Sequence, residues 1–112
     1  MNNTKEVLLS ISILMSGREE TRRCLESLVP LMEAIPCELI LVDTGCDEEK
    51  RKILEEYTDI IIPFKWCDDF SKARNTGLKK ATGKWFMFMD DDEWFTDINP
   101  IIDFFRKEEY LK

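Results

Sequence analysis

Three consecutive aspartates, Asp90, Asp91 and Asp92, with Glu93 behind them, stand directly after the five apolar residues Trp85 to Met89. Like charges crowded where a buried strand emerges are costly without a counter-ion. A hard divalent cation, magnesium or manganese, relieves the repulsion by taking one or two carboxylates and completing its shell with phosphate oxygens and water. A solvated acidic turn is the plainer alternative. A calcium loop between two helices does not fit: counted from Asp90, the position that needs glycine holds Phe95 and the closing glutamate position holds Ile101.

Two further clusters carry polar chemistry. Asp43-Thr44-Gly45 follows the apolar run Leu39 to Val42, where doubly wound sheets commonly contact a ribose or a base; it also reads as a simple strand-to-helix turn. The segment Asp69 to Gly77 opens a helix whose N-terminal amides suit an anion, and Arg74 offers a rigid fork of donors for a phosphate or a base carbonyl. A surface ion pair of Arg74 with Asp68 or Asp69 is the alternative. Gly77 inside that helix points to close packing against a neighbour. Trp66, Trp85 and Trp94 can stack on a base or a sugar; Trp85 is expected in the core and Trp94, beside the acidic run, on a sugar-facing wall.

Composition narrows the chemistry further. The 112 residues include no histidine, which removes Ser-His-Asp and Cys-His catalysis and leaves acid–base work to carboxylates or to a substrate. The four cysteines, Cys24, Cys37, Cys46 and Cys67, form no C-x-x-C pair and read as reduced structural thiols. Net charge is -7, from 23 acidic and 16 basic residues, so no general field attracts nucleic acid or an anionic membrane. The start lacks a targeting pattern, no apolar run reaches the ~20 residues of a membrane span, and the chain reads as cytoplasmic.

The elements that position these residues follow from periodicity. Val7 to Met15 is an apolar strand ending at Ser16-Gly17-Arg18. Glu19 to Ile35 has helical spacing, with Pro30 expected to kink or end it near Leu28 or Val29. Leu39 to Val42 is a second strand, and Asp47 caps a helix whose apolar face is Ile53, Leu54 and Tyr57. Ile60 to Phe64 is a third strand, which Pro63 places at an edge or brings to an early finish. Asp69 or Ser71 caps a helix to about Ala81, with Gly83 as terminator. Trp85 to Met89 is the fourth strand, and a helix from Asn99-Pro100 turns Ile101, Ile102, Phe104 and Phe105 inward. Such alternation implies one α/β domain over residues 1–112, a doubly wound, mostly parallel sheet with helices on both faces. Ligands bind such sheets beyond the carboxyl ends of the strands, where the polar clusters converge.

Four blocks in this order resemble the N-terminal part of family 2 glycosyltransferases of the GT-A fold, a Rossmann-like architecture. They are Ser10 to Leu14, Glu38 to Gly45, Ala73 to Gly77, and Ala81 to Glu93. The resemblance implies a donor site for a nucleoside-diphosphate sugar, a UDP-sugar first. Ser16, Gly17, Arg18 and Asp43 would contact the nucleoside, and Arg74 the base or diphosphate. Asp90 and Asp92 would form a D-x-D pair, Asp90 near the ribose and Asp92 on Mg2+ or Mn2+, with Asp91 adding a charge in the donor site. The first loop departs from the common Pro-Thr-Tyr-Asn of the family. Family members continue past this motif into the acceptor half, and neither Glu93, Asp97 nor Asp103 sits where the family places its base. The chain is therefore expected to be a donor-binding part whose catalytic base lies outside it. The rivals are a non-catalytic nucleotide or protein-interaction module of the same fold, and a phosphoacceptor receiver domain, which needs an acidic pair where this chain has Ser16-Gly17-Arg18.

Overall fold

Along residues 6–107, which the computed structural model describes, strands and helices alternate. They are β1 (Leu9–Met15), α1 (Thr21–Ala34), β2 (Cys37–Asp43), α2 (Glu48–Glu55), β3 (Ile61–Pro63), α3 (Phe70–Lys80), β4 (Trp85–Asp90) and α4 (Asn99–Lys107). The first five residues of the leader and the last five of the polar tail lie outside that range. All the pairings are parallel, and the strand order is β3-β2-β1-β4.

The alternation of β1 sorts the two faces. Leu9, Ile11, Ile13 and Met15 point into a core with Cys24, Leu25, Leu28 and Leu31 of α1, Leu54 of α2 and Phe105 of α4. The intervening Ser10 and Ser12 are also buried, on the face where α3 packs against β1 and β2. Small residues meet there: an added Cβ on Gly77 would lie 2.1 Å from Ser12 Oγ. The close packing expected from a glycine inside a helix is present. The layering follows the strand order, because β1 to β3 step one way along the sheet and α3 returns the chain across its other face to β4.

Several local expectations change. Helix α1 runs unbroken through Pro30. The proline is exposed while Leu28 and Leu31 on either side are fully buried, so packing of the apolar face outweighs one missing backbone bond on the solvent side. Trp85 is not core; it is 41% exposed, because β4 is an edge strand and the indole lies edge-on against Phe104 and Phe105. Phe104 is itself 40% exposed, so only Phe105 of that pair turns fully inward. Helix α3 ends at Lys80 without using Gly83, which instead lies against Ser10 of β1. The edge position of β3 and the Asp47 and Asp69 caps stand as expected, with each aspartate accepting from the amide three residues on.

At the end of the sheet opposite the acidic run, Glu38 ties three segments together. Its carboxylate accepts from Ser10 Oγ (2.6 Å) and from the amide (2.6 Å) and hydroxyl of Thr82, while the Gly83 amide donates to Ser10 Oγ. Burial pulls the Glu38 carboxyl upward, but these hydrogen bonds outweigh it and hold the group below the usual carboxylate range. A depressed folded value means stability that is complete above the unfolded value, about 4.3, and is lost as pH falls through it towards the folded one. Glu38→Gln should therefore melt below wild type at pH 7, with the difference shrinking as pH drops past about 4. Thermal melts from pH 7 to 3 read this directly, and a gap that is constant with pH would remove the carboxylate from the account.

Candidate functional site

A cleft of about 700 Å³ opens beyond the carboxyl ends of β1, β2 and β4. It lies at the switch point of the sheet, where the chain order reverses on the two sides of β1. Its volume is that of a small-molecule pocket. Of the eight site residues that the family resemblance implies, six line it: Ser16, Arg18, Arg74, Asp90, Asp91 and Asp92. Gly17 and Asp43 do not. Leu14, Thr44, Gly45, Trp66 and Phe70 complete the walls.

The acidic run divides by direction. Strand β4 ends on Asp90, and a tight turn follows in which Glu93 N–H donates to the Asp90 carbonyl (3.0 Å) and Asp90 N–H donates to Glu93 Oε1 (2.8 Å). Helix α1 anchors what comes next, through Ser27 Oγ accepting from the Phe95 amide (3.0 Å). Within this turn Asp90 and Asp92 face solvent, whereas Asp91 is only 4% exposed. Asp91 Oδ2 accepts from the amide (2.8 Å) and hydroxyl (3.0 Å) of Ser16, and Arg18 Nε lies 3.1 Å from Oδ1. Arg74 comes off α3 about one turn from its start, 3.9 Å from Asp90 and over the Phe88 ring.

Asp43 is held by its own turn. One carboxylate oxygen accepts from the amides of Gly45 (3.0 Å) and Cys46 (2.8 Å), and the other pairs with Arg51 at 3.1 Å. Burial pushes the carboxyl up, yet the two amides and Arg51 outweigh it, leaving the group below its ordinary value. Its charge shapes the Thr44-Gly45 wall from behind.

The aromatic wall differs from expectation. Trp94, 36% exposed, has one ring face covered by the Arg23 guanidinium at 4.0 Å and does not line the cleft. The wall is Trp66 against Phe70, edge-on at 4.9 Å, with the indole N–H of Trp66 donating to Asp68. Asp68 takes a left-handed backbone conformation that aspartate tolerates, and this turns the loop into α3. Phe70 is not among the residues that the sequence marks as candidates. An apolar side chain directly after a helix cap, on a loop at the ligand-binding end of the sheet, was the available signal.

Two thiols beside the site, Cys24 and Cys46, are poor nucleophiles. Cys24, beside the run, is pushed up to about 12 by burial first and then by the Asp91 and Glu93 charges, and Cys46 likewise to about 12 by burial and Asp43. For a cation, Asp90 and Asp92 supply two accessible carboxylates, but among the described residues no three His, Cys, Asp or Glu side chains form a ligand group. Two carboxylates suit a hard ion that brings or shares further oxygen ligands. No helix among the described residues is long and apolar enough to cross a membrane.

Known proteins carry the same pattern. The family model described as Glycosyl transferase family 2 matches residues 11–111. A TPR repeat-containing protein of Synechococcus elongatus is 35% identical over 89 residues, covering 77% of this chain and 21% of its own. The SPbeta prophage-derived glycosyltransferase SunS of Bacillus subtilis is 28% identical over 78% of this chain and 20% of its own. The uncharacterized glycosyltransferase YibD of Escherichia coli is 29% identical over 83% and 28%. The chain thus spans between a fifth and just over a quarter of the length of these relatives.

Proposed function

We propose, from the premise that this chain belongs to glycosyl transferase family 2, that its cleft binds the nucleoside-diphosphate part of a sugar donor, a UDP-sugar first. The observation that carries the reading is the meeting of two solvent-facing carboxylates, Asp90 and Asp92, with Arg74 and an aromatic wall in one cleft at the switch point. Asp92 and Asp90 would hold a divalent cation, Mg2+ or Mn2+, which when bound would supply positive charge to stabilise a departing diphosphate. Arg74 meets a phosphate oxygen or base carbonyl in place of its long contact to Asp90. Trp66 and Phe70 give the base or sugar an apolar surface, and Thr44 and Gly45 wall the cleft beside it.

Residues 1–112 on this reading are the donor-binding part of a cytoplasmic transferase. The acceptor side and its base belong to polypeptide beyond it, as the greater length of the relatives suggests.

A two-carboxylate site makes metal and nucleotide depend on one another. Mn2+ alone should bind the chain weakly, and UDP should raise its affinity by about tenfold or more, with the same factor returned to UDP by Mn2+. Calorimetry with Mn2+, with UDP and with both closes that cycle. If UDP with saturating Mn2+ or Mg2+ gives no heat and no rise in melting temperature, the donor reading is wrong.

A further inference from the structure

Asp91 is the inward-facing member of the run, its carboxylate side chain 5% exposed. Burying a carboxylate is costly unless donors replace water. Here they come from the loop after β1: two from Ser16 onto one oxygen, at 2.8 and 3.0 Å, and Arg18 Nε beside the other at 3.1 Å. Gly17 between them has φ +85°, and an added Cβ would lie 3.3 Å from Cys46 Cα. That backbone turn lets both neighbours aim at one carboxylate, and few side chains fit it. Carboxylate and loop are consequently coupled, since Asp91 stays buried only while Ser16 and Arg18 hold their places. Both of those residues line the cleft.

We infer that Asp91 is a positioning residue, a latch between the loops after β1 and β4 that holds Ser16 and Arg18 at the rim for donor binding. Both of its oxygens are engaged by the loop, so it acts through that loop and does not itself grip the donor. The inference rests on the donor reading of the cleft for its function, and on geometry alone for the latch.

Amide hydrogen exchange on the 112-residue chain without nucleotide tests the latch. In Asp91→Ala the Ser16 amide should exchange at least about tenfold faster relative to that of Ile13, in the centre of β1. A general loss of stability speeds the Ile13 amide at least as much as that of Ser16 and cannot raise the ratio. Asp91→Asn keeps an oxygen for Ser16 and should restore part of the ratio. In the second arm, UDP affinity at saturating Mn2+ should fall by about tenfold in Asp91→Ala and less in Asp91→Asn. An unchanged Ser16 to Ile13 ratio overturns the latch. A changed ratio with wild-type UDP affinity overturns the positioning role. Failure of the wild-type chain to bind UDP sinks the donor reading and the positioning role with it, while the exchange arm still decides the latch.

Discussion

Gly83→Ala should destabilise the chain by about 3 kcal/mol, more than Gly77→Ala, although the nominal overlap at Gly77 is deeper. What the new methyl group meets decides the order. At Gly77 the Cβ lies 2.1 Å from Ser12 Oγ, the end of a side chain that can turn, and 3.2 and 3.4 Å from the next atoms. Alanine also recovers roughly 1 kcal/mol of helix propensity there, so the net change should be small. At Gly83 the Cβ lies 2.7 Å from Ser10 Oγ, but also 2.9 Å from Ser10 N and 3.2 Å from Leu9 C, which are backbone of the central strand and cannot turn aside. Moving the loop instead strains the hydrogen bonds of Thr82 and Gly83 to Glu38 and Ser10. Urea titration should show a lower midpoint with unchanged slope, and heating a midpoint drop on the order of 10 °C. Ser12 Oγ is buried and has no hydrogen-bond partner among the described residues, so Ser12→Ala combined with Gly77→Ala should be at least as stable as wild type. Finding Gly77→Ala the more damaging of the two would mean that Ser12 cannot rearrange and that α3 sits more rigidly on the sheet than the chemistry of the contact implies.

The glycines also show what kind of information the sequence carried. A glycine inside a helical pattern announced close packing, and the apolar runs of β1 and β2, alternating with helical patterns, sufficed for a parallel α/β sheet. Failures came where a residue's own preference competed with its surroundings. Pro30 is expected to kink or end α1, but two fully buried leucines hold the helix together across it. Trp85 and Phe104 were assigned inward by hydrophobicity, and only the strand order reveals that β4 is an edge. At the site, the spacing of the acidic run was legible, but which carboxylate turns inward was not. The direction of Asp91 depends on Ser16 and Arg18, 75 and 73 positions away in sequence, meeting it across the sheet. Trp94 was chosen as a wall for its nearness to the run, and a cation from α1 covers it, while Phe70 reaches the cleft from α3.

Division of the run gives Asp92→Ala the largest expected effect on binding, a loss of about a hundredfold or more in UDP affinity at saturating Mn2+. Asp91 is occupied by the loop after β1, and Asp90 has Arg74 as a partial counter-charge at 3.9 Å. Asp92 is exposed and accepts no hydrogen bond from the described residues, so among the three it is the carboxylate most available to a cation. For the same reason its removal should leave folding stability within about 0.5 kcal/mol of wild type. Chelation separates the roles. In EDTA, Asp92→Ala should bind UDP as weakly as the wild-type chain, because all it lost was the metal's contribution. Asp91→Ala should remain weaker than wild type even there, because the loop, not the cation, has been disturbed. Titrations of the three proteins with UDP, each with Mn2+ and with EDTA, give six affinities. Full Mn2+-dependent tightening in Asp92→Ala would remove Asp92 from the metal and leave Asp90 and the donor's own oxygens as its proposed ligands.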